Sequence, residues 1–187
     1  AHMVTHQVRG HIFHSTIPSV RLASELMTHG APADIAEAAA IFRAVLTCQE
    51  MRDTDPHYGN FRWELEDEVV EDLNAVQFVL FYCIPVLCKT PDALPPDLLA
   101  AMRRAIALGL QEIARIDVAP IYTNIVIKDI VNSCLGGQLL NDETTARRGR
   151  EKLVRWIAHV DTYGLPAEYN SPNYASVAVR VLGRLVE

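Results

Sequence analysis

Apolar residues recur along this chain at helical spacing, and two kinds of helix alternate. From a cap at Asp34 to about Arg52, the residues Ile35, Ala38, Ala39, Phe42, Val45 and Leu46 mark one apolar side of a predicted helix. From Glu71 to Cys88, by contrast, Ala75, Val76, Phe78, Val79, Leu80, Phe81, Ile84, Val86 and Leu87 cover nearly the whole circumference. Such a helix has to be buried on most sides. The alternation repeats. Asp97 caps an amphipathic helix to about Ile116 whose wet side carries Arg103, Arg104, Gln111, Glu112 and Arg115, and an inner-type helix follows over 123–135, stopped by Gly136-Gly137. Asp142 caps a charged helix to about Tyr163 with Leu153, Trp156, Ile157 and Val160 facing in, and 172–185 supplies a third inner helix. A shorter helix from Ser19 to His29, stopped by Gly30, precedes them all.

This pattern predicts an all-α fold of about seven helices, built as an array of antiparallel helical hairpins. The expected organisation is a cloning remnant and N-terminal arm over 1–17, then a single helical-hairpin domain over 18–187. His6, His11 and His14 lie in the arm, where a poor apolar period favours a loosely docked segment over a metal site. Between the outer and inner helices the chain passes through polar aromatic stretches. Asp53 to Glu68 includes His57, Tyr58, Phe61, Arg62 and Trp63, and 167–174 reads Ala-Glu-Tyr-Asn-Ser-Pro-Asn-Tyr. Asn74, Asn124 and Asn173 each open an inner helix, spaced by 50 and then 49 residues, as they would if the same end of every inner helix lined one cavity. Three unrelated helix caps would give the same spacing.

Composition narrows the field. A net charge of −6 over 187 residues with scattered Lys and Arg gives no footprint for nucleic acid or an anionic membrane surface. No apolar run reaches the roughly 18 residues of a membrane span, and a cytoplasmic protein is the expectation. Cys48, Cys83, Cys88 and Cys134 lack zinc or redox spacing and read as buried thiols. Phosphate-loop, nucleophile-elbow and zinc signatures are absent from the sequence, and no cofactor is expected.

On the alternation over 34–187 and the aromatic and amide residues at inner-helix starts, Tyr58-Gly59-Asn60-Phe61-Arg62-Trp63, Tyr122-Thr123-Asn124 and Glu168 to Tyr174, the chain resembles the α/α-toroid enzymes. These include polysaccharide lyases and glycoside hydrolases. A closed toroid of six hairpins would need roughly 300 residues at this period, so the resemblance implies an open arc, a half that closes as a homo-oligomer, or part of a longer chain. It implies a carbon–oxygen lyase acting on a saccharide. Tyr169 or Tyr122 would be the acid or base, His57 a second proton carrier, and Asn124, Asn170 and Arg62 the charge stabilisers, with Asn74, Asn173, Tyr58, Trp63 and Tyr174 in the ligand cleft. A hydrolase would instead set Glu168 against a second carboxylate. A cyclase or isomerase of a small apolar molecule would use Phe61, Trp63, Tyr122 and Tyr174 as its wall. A non-catalytic scaffold or binding module would use all of these residues structurally.

Overall fold

The computed structural model describes residues 2–166 and 172–186, without the side chains of 172–175 and 177. Among these the fold is all-α, with seven α-helices and one two-stranded antiparallel sheet. The chain forms two compact units, Ala1–Glu112 and Ile113–Glu187. The first contains β1 (Thr5–Val8), β2 (His11–His14), α1 (Thr16–His29), α2 (Pro32–Leu46), α3 (Ala75–Lys89) and most of α4 (Pro96–Ile116). The second contains the end of α4, α5 (Thr123–Leu140), α6 (Glu143–Tyr163) and α7 (Pro172–Gly183).

The helical pattern locates every helix, and the differences lie at the ends. The stretch expected as a helix to Arg52 stops at Leu46, because the chain beyond it pairs with 59–62. Glu50 N–H donates to the Asn60 carbonyl (2.8 Å), Gly59 N–H to that of Glu50 (2.9 Å) and Arg62 N–H to that of Cys48 (3.0 Å). Main-chain groups claimed by that pairing cannot also continue a helix. α5 does not stop at Gly136-Gly137 but runs to Leu140, where Asn141 adopts the left-handed conformation. Gly137 is there for close approach: a Cβ on it would sit 2.5 Å from the backbone nitrogen of Ala146, and one on Gly149 would sit 2.7 Å from that of Cys134. The two glycines let α5 and α6 pack backbone to backbone. Asp142 does cap α6, its carboxylate accepting from the N–H groups of Thr144 and Thr145.

The N-terminal arm is an antiparallel hairpin paired Thr5 with His14 through Val8 with His11. It is held to the first unit by Ser15 N–H on the Val4 carbonyl, Val4 N–H on Ser19 Oγ, and Leu65 N–H on the His14 carbonyl, and Met3 is buried. In a strand, residues three apart face opposite sides, so His11 and His14 do not share a face. His14 instead sets its imidazole 2.6 Å from the Glu66 carboxylate. Burial would raise the pKa of that carboxyl, but the His14 N–H and imidazole outweigh it and hold Glu66 below the ordinary carboxylate range.

All four cysteines are free thiols, and Cys48, Cys83 and Cys134 are buried, whereas Cys88 near the end of α3 is exposed. Burial pushes the Cys83 thiol up to about 12. No helix among the described residues is long and apolar enough to cross a membrane.

Candidate functional site

The first unit carries an open groove of about 540 Å³. One side is α4, where Ala101, Arg104, Ala105 and Leu108 recur at spacings of three and four and therefore share a face. The alanines keep that side low. The other side is Leu46 at the end of α2, followed by Gln49, Met51 and Tyr58 from the loop, with Met51 57% exposed.

Local chemistry holds the loop against α4. Gly59 has φ +91°, and a Cβ there would lie 2.7 Å from the Leu108 carbonyl oxygen, so only glycine permits both the turn and the contact. Gln49 donates its side-chain amide to the carbonyls of Gly59 (2.9 Å) and Ala105 (3.0 Å), which ties the loop to the helix across the groove floor. With both N–H groups spent, its amide oxygen is the acceptor it has left.

Beside the groove runs a set of buried polar groups. Asn60 satisfies its whole amide: Oδ1 accepts from Phe61 N–H (2.7 Å) and Val76 N–H (3.1 Å), and Nδ2 donates to the Leu73 carbonyl and to Glu112 Oε1, both at 3.2 Å. Asn60, not the adjacent Asn74, thus gives the first turn of α3 a side-chain acceptor. Glu112, expected on the wet side of α4, is only 2% exposed because the 57–60 turn covers it. His57 Nδ1 stands 3.7 Å from its carboxylate. Glu50 is buried as well, and Arg52 donates its backbone N–H, Nε and Nη2 to that carboxylate at 2.6 to 2.9 Å. The guanidinium holds Glu50 down at about 2.

The residues expected at a site divide between the units. Tyr58 lines the groove and His57 flanks it. Arg62, expected as a charge stabiliser, donates its guanidinium to the carbonyls of Thr47 (2.7 Å) and Asp67 (2.8 Å), with Cys48 at 3.5 Å, and does not line the groove. Trp63 packs on Phe78 with ring centres 5.6 Å apart, and Phe61, assigned to a ligand wall, is fully buried in the core. Asn74 precedes α3 without capping it. In the second unit, Tyr122 is half-exposed before α5, and Asn124 is buried in its first turn. Glu168, Tyr169 and Asn170 lie outside the described residues, as do the side chains of Asn173 and Tyr174.

The second unit has its own charge cluster. Asp129, fully buried, accepts from Lys152 Nζ (2.6 Å), Arg148 Nη1 (2.6 Å) and Nη2 (3.1 Å), and Ser133 Oγ (3.1 Å). The ammonium of its sequence neighbour Lys128 donates instead to the Asn124 carbonyl at 2.8 Å. Asp117, left-handed at φ +43°, accepts from the same Lys152 (2.7 Å) and Arg148 (2.9 Å), and Lys152 foremost holds its carboxyl below the usual range. Two carboxylates meet two cations, so the cluster is balanced and serves as a clamp between helices. Among the described residues no group of three or more His, Cys, Asp or Glu is arranged to hold a metal ion.

Fold and groove together define an all-α protein with a small-molecule-sized recess in its first unit. The chain belongs to the family described as a domain of unknown function, DUF8769, whose model matches residues 2–186. It matches no curated protein and no solved structure.

Proposed function

We propose that the first unit binds a small, largely apolar molecule in the groove between α4 and the 46–58 segment. The observation that carries this reading is the lining. Leu46, Met51, Tyr58 and Leu108 stand over a floor of alanines in a volume typical of small-ligand sites, and the loop side is braced by Gln49 and Gly59 rather than left mobile. A saccharide, the substrate implied by the toroid resemblance, needs a wall rich in hydrogen-bonding groups; this lining suits an apolar molecule, though its described residues include none of Phe61, Trp63, Tyr122 and Tyr174, the wall expected for one. Binding of the uncharged probe N-phenyl-1-naphthylamine tests it. Wild-type protein should enhance the probe's fluorescence saturably, and Ala101→Trp, which fills the floor from a half-exposed position, should abolish the signal with the circular dichroism unchanged. Equal signals from both proteins would end the proposal.

An acid–base enzyme is a second reading, favoured by His57 and Glu112. The buried Glu112 carboxylate lies 3.7 Å from His57 Nδ1, within ion-pair reach, and one helical turn beyond Leu108 of the groove. Proton exchange from apolar ketones and unsaturated acids in D2O, followed by NMR, should occur with wild-type protein and stop in His57→Gln while probe binding persists. Exchange at the same rate in the variant would remove His57 from any chemistry.

A further inference from the structure

The lining of the groove is uneven in charge. Among the described residues that form it there is no carboxylate, although the chain as a whole carries −6, and there is one cation, Arg104. Of the acids in the neighbouring loop, Glu50 and Asp55 both bind Arg52, the latter at 3.2 Å, and Asp53 is exposed to solvent outside the groove lining. Arg104 is exposed and has no hydrogen-bond or ion-pair partner among the described residues, and the Tyr58 hydroxyl has none either. An apolar recess thus presents a planar five-donor cation and a phenolic donor with nothing of the protein's own to bind.

We infer that the ligand of this groove is a monocarboxylate with an apolar body, its head held by Arg104 and its tail lying along Ala101, Ala105 and Leu108. The inference rests on the groove being a ligand site. Guanidinium suits a carboxylate because its paired N–H groups match the two oxygens, and charge-assisted hydrogen bonds beside apolar surface are stronger than those in open water. Tyr58 supplies a donor that an alcohol could also use. Selectivity for the acid therefore belongs to Arg104.

Displacement of N-phenyl-1-naphthylamine from the full chain by decanoate or 1-decanol at pH 8, below their aggregation concentrations, tests the head group separately from the groove. Decanoate should compete at about tenfold lower concentration than decanol in the wild type. Arg104→Gln should bring the two within about twofold by weakening decanoate alone, and Arg104→Lys should keep part of the difference. Equal potency in the wild type, or an acid preference that survives Arg104→Gln, overturns the head-group assignment while leaving the groove standing. If neither compound displaces the probe and Ala101→Trp changes nothing, the groove reading has failed and this inference falls with it.

Discussion

Arg104 and Arg148 each stand on the polar side of a long helix, and their surroundings differ in an instructive way. Arg148 is four-fifths buried and makes hydrogen bonds to Asp129, Asp117, Ser133 and the Ile113 carbonyl. Burial works to lower its pKa, yet the two carboxylates raise it above the ordinary arginine value. Arg104 has none of these partners. A guanidinium withdrawn from water has to be paired, because its desolvation is otherwise uncompensated, whereas one over an open groove stays solvated until something displaces the water. The saturated charges around Asp129 serve the architecture of the second unit, and under the proposed function Arg104 serves recognition in the first.

That contrast can be broken most forcefully at Asp129. Asp129→Ala leaves Lys152, 3% exposed, and Arg148 without their buried counter-charge, and should cost about 3–5 kcal/mol in urea unfolding. A loss under about 1 kcal/mol would mean that the cluster is not the clamp described here. Arg104→Gln belongs at the other end of that scale, within about 0.5 kcal/mol of wild type.

Between these extremes lies the Glu50–Arg52 pair beside the groove. Because the folded state holds Glu50 at about 2, below its unfolded value, its stabilisation is complete above the ordinary carboxylate range. It is lost as pH falls from there toward 2. The pair should contribute on the order of 2 kcal/mol at neutral pH, discounted because Arg52 is mostly exposed. Unfolding free energies measured from pH 6 to pH 2 should fall less steeply for Glu50→Gln than for wild type. Parallel curves would show that the carboxylate gains nothing from folding.

Much of the fold was legible in the sequence. Periodicity located every helix, and the capping role of Asp142 followed from its place before a polar-faced pattern. Of the candidate site, Tyr58 and His57 were legible because a loop with that density of aromatic and imidazole side chains is seldom a passive link. Gln49 and Glu50 gave no signal, since their partners are remote or ordinary in sequence, and Asn60 stood out only as one amide of the 58–63 stretch. Glu112 gave a misleading one: it reads with Arg104 as a solvent-facing residue of one amphipathic helix, and Arg104 is indeed exposed whereas Glu112 is covered by a turn.

The sequence by itself determined the all-α class, the order of the helices and several of their starts, because those depend on groups within three or four residues of each other. Only the tertiary structure decided where α2 and α5 end, that Arg62 is spent on carbonyls, and that α4 shares a groove with the loop after α2. These outcomes rest on pairs such as Gln49 with Ala105 and Asn60 with Glu112, which are 56 and 52 residues apart. No local propensity encodes such a pair. It exists because burying these amides and carboxylates is tolerable only when each finds a partner, and the partner within reach is set by the packing of the whole unit.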